Sequence, residues 1–384
     1  MSEGSAAGLR GFDRVLAQES NVSNLLQELS ELDPAPWRRL VGFAPTRVLR
    51  EQRLHAAGSG RSLGNADVLL EGDGGQRALI EVKLGHVLSD DQRTRYTEWA
   101  TSHDSPVFLL GLSTDRALVP EADPNWQFQA LADVFRQWHD SSEEFTAQLA
   151  DRCAATLAHW DAALTGVLGS DGEALSTIRE RFLGQALTRR VGALVLERDP
   201  ARVTRPSVTS GGGLPIIQAW APLDVQGWRH VIAEMRWWKD MAGAELRFGV
   251  DYSDLPSTAA HRREAFDLAT RLMSKMSRAA LEAHLKSSGF PDPAQALGRH
   301  VPAKARGDWD AVIERGFRTK DNPGGVEGNR RSTRPPFAGD GTLRFEAVIA
   351  LNLDRINAVD LTNLLDATLK YLVEGALDTN LERH

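Results

Sequence analysis

The chain has a single cysteine, Cys153, among 384 residues. That excludes an intramolecular disulfide and any zinc or iron–sulfur site built on clustered cysteines. A reducing, cytoplasmic compartment is the simplest expectation. No apolar run approaches the ~18 residues that a membrane-spanning helix needs, so no membrane partner is expected. Residues 1–8 lack a basic segment followed by an apolar one, so a secretory signal is not expected there. Gly211–Gly213 are not followed by the Gly-Lys-Ser/Thr of a phosphate loop. His55, His86 and His103 have no histidine or cysteine four residues on and read as surface or structural residues.

The composition is that of an ordinary globular protein, at 42% hydrophobic and 25% charged, and the length allows two domains. The formal net charge of −7 is a weak argument against nucleic acid. Local clustering matters more. Between Arg299 and Arg334 nine Lys/Arg residues face five acids, a local balance of +4 in an acidic chain. This window reads equally as a solvated loop or as a basic grip.

Hydrophobic periodicity predicts a helix over Val15–Leu32, with Val22, Leu25, Leu26, Leu29 and Leu32 at helical spacing. A strand follows at Thr46–Leu54, then a glycine-rich loop. A hairpin comes next, its turn at Gly72-Asp73-Gly74-Gly75. Asp90–Ser102 reads as a helix, Pro106–Leu112 as a buried strand and Trp126–Trp138 as a helix. Two long helices, Phe145–Leu168 and Glu173–Glu197, are expected to bridge to a second domain. There, Leu214–Pro222, Trp228–Trp238 and Ala244–Tyr252 read as a strand meander. Helices over Thr258–Ser288 and Asp308–Glu314 precede a mobile-looking loop at Asn322–Pro336. A last strand, Thr342–Leu353, and a last helix, Ala358–Glu374, close the chain. Trp220, Trp228, Trp237 and Trp238 are expected in the core, with base stacking as the alternative. The expected division is 1–140, 141–200 (the bridging helices) and 201–384, the last an α+β domain.

The hairpin carries the chemistry. One strand is Asn65-Ala66-Asp67-Val68-Leu69-Leu70, and the other contains Ile80-Glu81-Val82-Lys83. Alternation along a strand puts Glu81 and Lys83 on one face. Two carboxylates and an ammonium then converge, and acids so close repel unless a cation lies between them. Asp67 and Glu81, with the main-chain carbonyl of Val82, could hold Mg²⁺, with Mn²⁺ as a substitute, through hard oxygen ligands. Lys83 could orient the attacking water or stabilise a pentavalent phosphate. Gln92 and Tyr96, four apart on a helix, share a face and could hold a phosphate or support the metal ligands.

The pattern Asp67 … Glu81-Val82-Lys83 … Gln92-x-x-x-Tyr96 resembles the PD-(D/E)xK nucleases, in the branch with a QxxxY element. The resemblance covers about residues 12–140, with Ala66 in place of the proline. It implies an α/β fold with a restriction-endonuclease-like αβββαβ core: a mixed central sheet flanked by helices. It also implies a magnesium-dependent nuclease acting on DNA, in restriction or phage defence. An acid on the first helix often completes such sites, and Glu19 occupies that place. Arg330, Arg331 and Arg334 are the expected contacts to the substrate backbone. A homodimer or a partner protein stays open. The rival reading is a module of the same fold that binds nucleic acid or protein without cutting.

Overall fold

The computed structural model describes residues 11–85, 88–119, 123–169, 172–209, 213–300, 308–327, 338–339 and 343–381. The chain is mixed α/β and divides into two compact units, Met1–Thr165 and Gly166–His384. Among the described residues no helix is long and apolar enough to cross a membrane.

The first unit opens with helices α1 (Gly11–Leu16), α2 (Glu19–Leu32) and α3 (Trp37–Val41). The apolar spacing of α2 buries Val22, Leu26 and Leu29 on one side. A mixed five-stranded sheet follows, in the order β1 (Arg47–His55), β2 (Ser62–Glu71), β3 (Arg77–Val82), β4 (Val107–Gly111), β5 (Trp126–Ala130). The pairs β1–β2 and β2–β3 are antiparallel, and β3–β4 and β4–β5 are parallel. The β2–β3 turn places Gly74 and Gly75 at φ 70° and 85°, conformations that favour glycine. Helix α4 (Asp90–His103) is the crossover between the parallel strands β3 and β4. It covers a core of Leu54, Leu63, Ala66, Leu69, Leu79 and Leu109 with Tyr96, Trp99 and Ala100. All five residues of β4 are buried, as a central parallel strand requires. Helix α5 (Leu131–Arg136) packs on β4 and β5, and α6 (Glu144–Leu168) leads the chain into the second unit.

In the second unit α7 (Arg181–Arg198) precedes an antiparallel sheet. Its strands are β6 (Val203–Val208), β7 (Pro215–Pro222), β8 (His230–Trp237), β9 (Ala244–Asp251), β10 (Leu297–His300), β11 (Ala338–Gly339) and β12 (Arg344–Leu351), in the order β10-β12-β9-β8-β7-β6, with β11 also paired to β12. Helices α8 (Ala259–Arg271), α9 (Arg278–Ser287), α10 (Pro291–Gln295), α11 (Trp309–Arg315) and α12 (Ala358–Leu381) complete it. One sheet face is apolar: Ile217, Ala219, Ala233, Met235, Phe248, Phe345 and Ala347 are all buried. Helices α7, α8 and α12 pack on its strands. The alternate positions carry charge. Arg344 donates to Glu234 at 2.8 Å and to Glu346 at 2.9 Å. Arg247 reaches Glu346 at 2.8 Å and Glu245 at 2.7 Å, and Gln218 and Arg236 bind Glu234 at 2.7 and 2.8 Å. Glu234 and Glu346 are fully buried.

Several elements differ from the sequence expectation. Trp126–Ala130 is a strand, and only Leu131–Arg136 is helical. The alternation Trp-Gln-Phe-Gln-Ala is a strand signal that the helical spacing after it conceals. The Val15–Leu32 helix breaks where Gln18 turns extended, so Glu19 starts a new helix. Over Glu173–Glu197 the helix begins only at Arg181, and Thr258–Ser288 is two helices. The unanticipated β6 holds Pro206, tolerated because it is an edge strand. Trp237 is buried, but Trp228 and Trp238 are about half exposed, each in or beside a hairpin turn.

The Arg344 network generates a prediction. Removing one partner of a buried ion pair strands the other charge and costs about 3–5 kcal/mol. Arg344→Ala should therefore lower the unfolding free energy in urea by about that much. A loss under ~1 kcal/mol would mean that the network is as loosely held as a surface pair.

Candidate active site

The site forms where two strands part. The antiparallel pairing of β2 with β3 runs from Glu71–Arg77 to Val68–Ile80 and stops there. Beyond that point the Val82 N–H donates to the Asp67 carboxylate at 2.8 Å. A side chain thus replaces the ladder. The Lys83 N–H has gone over to Leu110 of β4, at 2.8 Å.

The phase of β2 changes at the same place. Ala66 and Leu69 lie three apart, yet both enter the core under α4. A regular strand would send them to opposite faces. The partner strand shows the matching irregularity. Pairing of β1 with β2 runs through Arg50–Val68, resumes at Gln52–Ala66 and skips Glu51, which has φ 48°. A left-handed residue inside a strand is costly for anything but glycine. The register is the same on either side of Glu51, and Asp67 stands opposite it.

Glu81 lies near the end of β3 and Lys83 directly follows the strand. The Lys83 ammonium donates to Glu81 Oε1 at 2.5 Å. Gln92 Nε2 donates to the same oxygen at 2.6 Å and lies 3.1 Å from the Tyr96 hydroxyl. Tyr96 in turn donates to the carbonyl of Asn65 at 2.5 Å. Gln92 and Tyr96 therefore hold Glu81 and tie it back to β2. The local sequence fixes their helix. Ser89 caps α4 by accepting from the Gln92 N–H at 3.1 Å, and Asp90 and Asp91 sit in its positive first turn. Glu19, at the start of α2, accepts from the Leu84 N–H at 2.7 Å. The sequence-derived set Asp67, Glu81, Val82, Lys83, Gln92, Tyr96 and Glu19 is thus linked by hydrogen bonds around one strand end. Arg330, Arg331 and Arg334 lie outside the described residues, as does His86. His103 stacks on Trp99 with ring centroids 4.7 Å apart.

The electrostatics are those of acids held out of water. Burial pushes Glu81 up to about 7, the Asp67 charge adds to this, and Lys83 opposes it. Burial also raises Asp67. The Val82 N–H, Lys83 and Arg50 pull it down, and Glu19 pushes it further up. Burial works to lower Lys83, but Glu81 and Glu19 outweigh it and keep the ammonium charged. Tyr96 is raised by burial and by Glu81, so it stays a neutral donor. The Arg50 contribution is one that sequence reasoning missed. Its only signal was a basic residue on the strand opposite Val68.

The remaining oxygen of Glu81, Oε2, is buried and has no hydrogen-bond partner among the described residues. Such an atom is costly unless something else satisfies it. The Asp67 and Glu81 carboxylates offer oxygen ligands, the donor type that Mg²⁺ or Mn²⁺ takes. Among the described residues no cluster of three or more His, Cys, Asp or Glu forms a metal cage. An ion here would keep much of its water, as Mg²⁺ does.

Comparison with protein-family models, with curated proteins and with solved structures returned no match. The functional reading therefore rests on the site.

The raised carboxylates predict a pH dependence. Glu81 holds its proton more tightly in the folded chain, at about 7 against an ordinary value of 4.5. Between those values the folded state binds more protons than the unfolded state, so stability falls as pH rises through that window. Without divalent metal, the Tm should drop between pH ~5 and ~7, and Glu81→Gln should flatten the drop. A Tm that rises across this window, or a slope untouched by Glu81→Gln, contradicts the assignment.

Proposed function

We propose that this protein is a magnesium-dependent nuclease that hydrolyses phosphodiester bonds in DNA, with its active site in the first unit. The observation that carries the reading is the Glu81–Lys83 pair beside Asp67, with one Glu81 oxygen buried and unpartnered among the described residues. Structural ion pairs are normally saturated on both sides. A carboxylate held rigidly by Lys83 and Gln92 on one oxygen, and left open on the other, is suited to a cation. The order α2-α3-β1-β2-β3-α4-β4 of the first unit supports the same reading, because apart from the short α3 it resembles the αβββαβ pattern of the PD-(D/E)xK nucleases.

In this reading Asp67, Glu81 and the Val82 carbonyl would hold Mg²⁺, which when bound would supply charge neutralisation at the phosphoryl group and lower the pKa of a water. Lys83 keeps its ammonium charged at neutral pH and directs it at the attacking water or at the phosphate oxygens. Gln92 fixes the orientation of Glu81, and Tyr96 fixes Gln92 against β2. Both are positioning residues here rather than contacts to the phosphate. Glu19 adds negative charge near Asp67 and Lys83 and anchors the chain after Lys83.

The test is cleavage of plasmid, linear duplex, single-stranded DNA and RNA, with Mg²⁺ or Mn²⁺. Metal-dependent cutting of DNA is expected. Asp67→Ala should abolish it, and Lys83→Ala should slow it by about 10²-fold or more. Gln92→Leu should lower kcat while leaving KM nearly unchanged, since it acts through Glu81. Cutting that survives Asp67→Ala would locate the chemistry elsewhere. Intact substrates under both metals would favour a module that binds without cutting.

A further inference from the structure

The β1–β2 hairpin is longer than the sheet needs. β3 pairs with only four residues of β2, Val68–Glu71. From Asp67 towards the turn, β1 and β2 continue as a two-stranded arm, with Gln52–Ala66, Arg53–Asn65 and Leu54–Gly64 in register and His55–Ser62 paired after a register shift. Its inner side is apolar. Leu54, Leu63 and Ala66 are buried in the core under α4. Its outer side is polar. Arg53 and Asn65 are exposed and directly opposed, and cross-strand partners share a face. Asn65 and Asp67 flank the buried Ala66, so Asp67 is the next outward position after Asn65. The arm is also basic. Residues 52–66 contain Arg53 and Arg61 and no acid, and Arg47 and Arg50 precede them on β1, in a chain of net charge −7.

Two of these arginines are not absorbed by ion pairs across the fold. Arg61 is held by Glu98 of α4 at 2.6 Å, and Arg47 by Glu71 at 2.9 Å. Arg53 has only the Ser62 hydroxyl, at 3.2 Å. Arg50 donates to Asn24 of α2 and meets the exposed Glu51 at 3.2 Å. Its Nε is buried with no hydrogen-bond partner among the described residues. Its charge reaches the Asp67 carboxylate. The left-handed Glu51 lies between these two arginines, at the register position of Asp67.

We infer that the outer face of the β1–β2 arm is the surface on which the nucleic-acid backbone docks. Arg53, on the arm, takes one phosphate, and Arg50, on β1 where the arm leaves the three-stranded part of the sheet, takes the phosphate nearest the metal site. The inference rests on the nuclease reading for the position of the scissile bond, and on the arm alone for the binding surface. Charge complementarity selects the occupant. An arginine fork matches a phosphate, and arginines beside buried acids give a polyanion a docking line to a site that would otherwise repel it. The contact is to the backbone, so it carries affinity and register rather than sequence.

The test is fluorescence anisotropy of a labelled 20-base-pair duplex with the full chain in EDTA, over a salt series, beside cleavage in Mg²⁺. Arg50→Ala and Arg53→Ala should each weaken binding several-fold and reduce the salt slope by about one. Arg53→Lys should restore most of the slope, which a purely structural role of Arg53 would not predict. Triple replacement of Arg330, Arg331 and Arg334 by Ala serves as the comparison. Wild-type affinity and slope in both arm variants, with cutting intact, overturn the docking surface and leave the nuclease standing. Arm-dependent binding without any cutting supports the surface and sinks the nuclease. Loss of binding only in the triple variant overturns the arm.

Discussion

Two acids and a lysine are drawn out of water at the end of β3, and the first unit is arranged around keeping them there. Buried charge is tolerated only when it is paired and hydrogen-bonded. Each irregularity of the unit supplies part of that compensation. The ladder stops at Val68–Ile80 so that the Val82 N–H can serve Asp67. The helix break at Gln18 puts Glu19 where it can receive the Leu84 N–H. The Ser89 cap sets the start of α4, and with it the reach of Gln92 to Glu81. One acceptor, Glu81 Oε2, is left over. That unmet acceptor is the observation on which the proposed cation site rests.

The second unit gives the contrast. Glu234 is as deeply buried as Glu81, but both its oxygens are engaged, by Arg236 on one side and by Gln218 and Arg344 on the other. Burial would raise Glu234, yet Arg344 and Arg236 hold it below the ordinary carboxylate range. Glu81 has one lysine for two nearby carboxylates and shifts the other way. The two clusters share residue types and differ in saturation. A saturated network stabilises a sheet, and an unsaturated one invites a ligand.

The sequence was legible where one period dominated. The hairpin of Asp67 and Glu81, the capped helix of Gln92 and Tyr96, and the meander β7–β8–β9 all follow from alternation, turn residues and helical spacing. So does the convergence of Glu81 with Lys83, because residues two apart share a strand face. The rest was hidden for identifiable reasons. Trp126–Ala130 is five residues of alternation running straight into a helical stretch. Pro206 disguised β6, since edge position is a property of the sheet. The break before Glu19 and the left-handed Glu51 are demanded by partners distant in sequence, Leu84 and the phase shift of β2. The role of Arg50 depends on that same shift, and no local pattern announces it. The charged face of the second sheet alternates plainly in Ala233-Glu234-Met235-Arg236 and Leu246-Arg247-Phe248, but which charge meets which is fixed only by strand register.

The central claim is that the open carboxylate of Glu81 awaits a divalent cation. Calorimetric titration of the chain with Mn²⁺ in buffers of different ionisation enthalpy tests it most directly. The account predicts one ion per chain in the Asp67–Glu81 site. It also predicts proton release on binding that grows as pH falls from about 8 to 6, because the ligand must be deprotonated. Both should be lost in Glu81→Gln. Absence of binding, or binding that releases no proton and survives Glu81→Gln, would contradict it.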